Sequence, residues 1–228
     1  MSEFEPYITK VVQCNEIEKM NYLIKQTKMK TTSSISMLGV LFIAGILPVS
    51  SVALHSMGLI SIRAMILPNV LMISICCYHL FNDDTIKKLV TRGWVGGLVA
   101  VLLYDLARIP FVYLGWDDFI PGLGGWIVGS EENFAVGYLW RYLGNGAGLG
   151  LGFAVLCHLF KFKKIILAGL VYGIGVFLAL DIVLLVSETA QSMMFKITPL
   201  TFTGSLVGHA VYGLTIGFMV NRMSKSKE

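Results

Sequence analysis

Six apolar runs follow one another along the chain, each long enough to cross the roughly 30 Å of a bilayer's hydrocarbon core at about 1.5 Å per helical residue. They cover residues 36–54, 59–81, 93–114, 137–160, 165–187 and 200–220. This pattern predicts an all-α, polytopic integral membrane bundle of about six transmembrane helices. The turn at 55–58 is short enough to make the first two helices a hairpin, kinked at Pro48 and Pro68. Ahead of the hairpin lies a polar segment, 1–35, where Ile17, Met20, Leu23 and Ile24 recur at helical spacing among charged residues. Such spacing suits an amphipathic helix on the inner membrane surface, or a polar extension with partial helicity. A basic tail occupies 221–228.

One connection differs from the rest. Residues 115–136 hold Trp116, Asp117, Asp118 and Trp126 in a stretch that is apolar yet too short to cross, so an interfacial or re-entrant cap on the outer side is expected. Small residues recur inside the spans: Gly144, Gly146, Gly148, Gly150 and Gly152 in the fourth, and pairs four apart at Gly93 and Gly97, Gly169 and Gly173, Gly204 and Gly208, and Gly213 and Gly217. In lipid, where hydrophobicity does little to drive helices together, such faces let backbones pack closely.

Composition agrees with a lipid solvent. The chain is 55% hydrophobic and only 14% charged, against roughly 25% charged in soluble domains. Basic residues cluster on alternate connections: the first segment, the stretch with Lys87, Lys88 and Arg92, the one with Lys161, Lys163 and Lys164, and the tail; the other connections offer Lys196. This positive-inside pattern places both termini in the cytoplasm. It also accounts for the net charge of +4 without a nucleic-acid partner. The opening segment is too polar for a cleaved signal peptide. Cys76 and Cys77 beside His79 lack further ligand spacing, so they are expected to pack rather than to hold a metal.

Against this apolar background five ionisable residues stand out: Arg63, Asp105, Arg108, Arg141 and Asp181. The topology puts all five in the outer half of the membrane. An ionised group in hydrocarbon costs at least a few kcal/mol, so each must be paired, wetted or functional. Two ion pairs, Asp105 with Arg108 or Arg141 and Asp181 with the remaining arginine, would satisfy that cost, with Arg63 reaching to the headgroups. Three cations against two anions also suit an outward-facing pocket for a carboxylate, phosphate or lipid headgroup. Two further readings are a non-catalytic subunit of a larger membrane complex or a homo-oligomer, and an enzyme acting on an outer-leaflet lipid with Asp105 as base.

His209, Tyr172 and Tyr212 form a second group, expected as a polar core or a proton relay. Haem held by His158 and His209 would need imidazoles at matched depth, whereas these differ by roughly 10 Å along the membrane normal. No cofactor is expected. The motifs of zinc hydrolases, serine hydrolases and nucleotide-binding loops do not occur.

The stretch 151–220 combines a glycine-rich span ending in His158, Tyr172-Gly173, Pro199, Gly208-His209, Tyr212-Gly213 and Gly217. It resembles the small YagU-like multi-span proteins of bacteria over about a third of the chain. The resemblance implies a bacterial inner-membrane location and no particular activity.

Overall fold

The computed structural model describes residues 36–225, without the side chains of 79–82. The expected amphipathic segment around 17–24 and the last three residues of the tail lie outside the described residues. The chain divides into a first unit, Met1–Val40, described only at 36–40, where a helix begins, and a second, Leu41–Glu228, which carries the remaining helices.

Among the described residues the elements are all helical: α1 (Ser36–Ser56), α2 (Ile62–Asn82), α3 (Asp84–Tyr113), α4 (Ile120–Val128), α5 (Phe134–Leu139), α6 (Ala147–Phe160), α7 (Ile165–Val186), α8 (Glu188–Met193) and α9 (Pro199–Lys225). α5 runs into α6 through a π-helical stretch, Trp140–Gly146, so that Phe134–Phe160 is one continuous rod. Five rods, α1, α3, the α5–α6 rod, α7 and α9, are long and apolar enough to cross a membrane, and α2 adds a shorter apolar stretch at Ile62–Tyr78. The protein is an integral membrane helical bundle.

Local sequence explains where the elements start and stop. Asp83 opens α3 by accepting the amides of Thr85 and Ile86 at 2.8 and 3.2 Å, which satisfies donors that a helix start leaves free. α3 then extends for 30 residues, about 45 Å. At its end Gly115 takes a φ of +103°, a conformation that glycine reaches without a Cβ clash. The chain doubles back there and drives Trp116 inward. Asn133 caps α5 through the Val136 amide, and its own amide bonds to Pro121 O at 2.8 Å, so α4 and α5 fold against each other as a short helical pair.

α9 runs between two partners, packing on α3 along one side and α7 along the other. Its buried stripe, Ser205, His209, Tyr212, Ile216 and Val220, has the three-to-four spacing of an inward helix face. Two glycine seams hold the rods together. In the first, Gly93 and Gly97 of α3 lie against the backbone of Gly146, Gly150 and Leu151, and Gly45 of α1 lies against Gly148 and Gly152. In the second, Gly169 and Gly173 of α7 lie against the backbone of His209, Gly213 and Gly217. At most of these places a Cβ would enter a neighbour's main chain, so the seams are the close packing expected of small residues in lipid. Gly204 and Gly208 serve differently, since they make room for the rings of Phe111, Trp116 and Tyr104 rather than for a helix backbone.

Candidate functional site

Near the α3 C-terminus the charged residues meet in two separate pairs. Arg141, in the π-helical stretch, turns its Nε to both oxygens of Asp105 at 2.9 and 3.0 Å, and its Nη2 also reaches Asp105 Oδ1. Its guanidinium carbon lies 4.8 Å from the centre of the Tyr104 ring. Arg108, one turn along α3, donates from Nη2 to Asp118 at 2.7 Å and lies 5.2 Å from the centre of Trp116. Both arginines are nearly fully buried, at 9% and 5% exposure. A buried guanidinium is tolerable only with such partners: a carboxylate for the charge and an aromatic face for the cation.

Asp118 comes from the connection after α3. It also accepts Tyr138 Oη at 2.7 Å and the Ile120 amide at 3.2 Å. Burial alone would push its carboxyl up, but the bonds from Tyr138 and Arg108 and the Arg108 charge outweigh it and hold the carboxyl below its usual range.

Asp105 with Arg141 is one of the two pairings the sequence suggests, but the second pair differs. Asp181 does not meet an arginine; it is buried on the face of α7 that carries Gly173 and Phe177, toward α9. Arg63 stays outside as well, donating to Trp126 O at 3.2 Å beside Gly129, the left-handed residue that ends α4. There its positive charge meets the carbonyl end of a helix. The expected excess of one cation is therefore absent from this cluster: two arginines face two aspartates. The difference arises because sequence fixes how far along a helix a residue lies but not which way its side chain points, and because nothing in the sequence marks Asp118 as the partner of a buried arginine.

The cap residues divide likewise. Trp116 turns into the protein interior, 2% exposed, packed with Val52, Leu123, Leu184, Met194 and Phe195. Trp126 is half-buried and meets the His55 ring edge-on at 5.2 Å. Asp117 is exposed.

Beside the two pairs lies a cavity of about 430 Å³, within the roughly 300–1,000 Å³ usual for small-ligand sites. Arg108, Trp116, Arg141, Asn145 and His209 are among its polar and aromatic lining, and α1 and α7 supply apolar walls. His209 Nδ1 lies 2.8 Å from Ser205 O. A carbonyl only accepts, so Nδ1 carries the hydrogen and Nε2 of the neutral ring is left as an acceptor. The ring is held edge-on by Tyr104 at 5.1 Å and flanked by Phe177. Tyr172 and Tyr212 also line the cavity, but their hydroxyls are engaged: Tyr172 donates to Leu149 O at 2.9 Å and Tyr212 to Gly146 O at 2.7 Å. They fasten α7 and α9 to the α5–α6 rod.

Two buried polar atoms on the cavity lining have no hydrogen-bond partner among the described residues: Trp116 Nε1, a donor, and Asn145 Oδ1, an acceptor. Orphaned polar atoms cost about 1 to 3 kcal/mol each in a dry interior, and Asn69 Oδ1 and Trp140 Nε1, away from the cavity lining, share that condition. Tyr104, Asn145 and Ser205 were not singled out in the sequence. Asn145 had a signal available, as an amide side chain inside a glycine-rich apolar run.

The two histidines considered for haem are not brought together: His209 is buried at the cavity, and His158 is exposed in the last turn of α6. Cys76 is buried and its neighbour Cys77 exposed, so the pair divides between the two faces of α2. No family model matches the chain, and neither the curated proteins nor the solved structures yield a match.

Proposed function

We propose that this protein binds or moves an anionic amphiphile, whose carboxylate or phosphate head sits against Arg108 and Arg141 and whose apolar part lies between α1 and α7. One observation carries the reading: a cavity with largely apolar walls is lined by two buried guanidinium groups. Each arginine has five N–H donors in a fixed fork. Arg108 gives one nitrogen to Asp118, and Arg141 gives two to Asp105. Among the described residues their Nη1 groups have no hydrogen-bond partner, so donors rather than net charge would recognise the ligand. Anionic oxygens are the strongest acceptors for them. A hydroxyl or protonated oxygen on the same head would find Asn145 Oδ1 and His209 Nε2.

The same proposal includes six crossings, both termini in the cytoplasm and the arginine end facing outward, which the distribution of lysines and arginines supports. Kinship with the YagU-like proteins belongs to it too, and with that kinship a place in a bacterial inner membrane.

The test is native mass spectrometry of the detergent-purified chain. Wild type is expected to retain an acidic amphiphile, and Arg108→Lys to lose most of it, because an ammonium keeps the charge but not the planar fork. Equal retention by both proteins, or nothing bound to wild type, would remove the role.

A further inference from the structure

We propose that the ligand is a single-chain lipid taken from the bilayer itself, its head on the arginine pair and its chain leaving sideways through a cleft between α1 and α7. The inference rests on the binding role argued above and names the kind of molecule that fills it.

The cavity is closed toward the capped end and open toward lipid. At the capped end Trp116, Met194 and Phe195 both line the cavity and stay buried, joined there by Val52 and Leu184 in one apolar cluster. A water-soluble anion would have to displace these packed side chains. Along its length the opposite holds. Gly175 and Ala179 of α7 line the cavity, yet both are exposed. Gly175 is the eleventh of 22 residues in α7, so the opening falls at mid-span, where a crossing helix meets hydrocarbon rather than headgroups. A Cβ built on Gly175 would meet nothing within 4 Å.

The packing explains why no helix among the described residues fills this cleft. α7 is bound to α9 through the Gly169 and Gly173 seam on its far side, α1 is bound to α6 through Gly45, and α7 touches α6 only sparsely. Val49, Ser50 and Ala53 of α1 face the same space from across the gap. A wall made of a glycine and an alanine leaves open the space that larger side chains would fill. A polymethylene chain lies in hydrocarbon wherever it leaves the protein, so its exit costs no hydration of apolar surface.

The experiment uses the full chain in phosphatidylcholine nanodiscs with radiolabelled palmitate and hexadecyl phosphate as long-chain probes, and butyrate and inorganic phosphate as head-only counterparts. Wild type is expected to bind at least one long-chain probe, with its short counterpart at least a hundredfold weaker. Gly175→Leu fills the cleft with a residue that favours a helix more than glycine does, so the thermal midpoint should stay level or rise while long-chain affinity drops at least tenfold. Ala179→Leu, one turn along, should act the same way and serves if Gly175→Leu does not fold. If butyrate or inorganic phosphate binds as well as its long-chain partner, or if both cleft variants bind the long chain normally, the head site stands and the lateral route is wrong. If no probe binds wild type, or if Arg108→Lys binds all of them normally, the amphiphile reading itself fails.

Discussion

Asp118 shows how one residue decides what a site is. In the sequence it is one of two adjacent aspartates in a tryptophan-bearing connection, with nothing to mark it as a partner for a buried arginine. In the structure its oxygens gather Arg108, Tyr138 and the Ile120 amide. It thereby ties α3, the cap and the α5–α6 rod to one point. Because its carboxyl lies below the usual range in the folded protein, the stabilisation it gives is complete at neutral pH, above the unfolded value of about 4. It is lost as pH falls through the depressed folded value. The thermal midpoint of the detergent-solubilised protein should therefore fall on acidification below pH 4. Asp118→Asn should be less stable at pH 7 by about 2 kcal/mol, since Arg108 loses a charged hydrogen-bond partner, and should show a shallower acid slope. An unchanged slope would remove Asp118 as the anchor. Arg108, Arg141 and Asp105 were legible because ionisable groups in apolar runs are costly. Arg63 and Asp181 are equally costly but find other settings, one at the end of α4 and one against α9. Sequence could rank the cost but not the direction of the side chain.

At the level of elements, the spans and the glycine faces were readable for the same reason, that lipid imposes a minimum helix length and close packing of small residues. Gly93, Gly97, Gly169 and Gly173 all lie on helix seams. The π-helical stretch was not readable. Trp140–Gly146 is apolar and glycine-rich like its surroundings, and a π turn depends on local ladder geometry that composition does not reveal. It carries both Arg141 and Asn145, in keeping with the frequent appearance of such turns at functional sites. Nor does the sequence show that the connection expected as a cap is built of the short helices α4 and α5, because they are too brief to give a periodic signal. The connections do carry orientation. A cysteine introduced at Glu131 should react with an impermeant thiol reagent added outside intact cells, and one at Lys163 should not. The reverse result would invert the proposed topology.

Seen as a whole molecule, Leu41–Glu228 has a cavity lined both by paired charges and by apolar side chains. Its polar lining carries the paired arginines, next to a packed apolar cluster around Trp116 and Phe195. Its long apolar side opens at Gly175 and Ala179, in a helix whose other exposed residues, among them Leu178, Ile182 and Leu185, are large and apolar as a lipid-facing surface requires. A density map of the wild-type protein in lipid nanodiscs addresses this most directly. The account predicts one continuous elongated feature, within hydrogen-bond distance of Arg108, Arg141 and Trp116 Nε1 at its head and passing Gly175 toward the bilayer. A cavity filled only by isolated waters, or by repacked side chains that bring Trp116 Nε1 and Asn145 Oδ1 to protein partners, would contradict it.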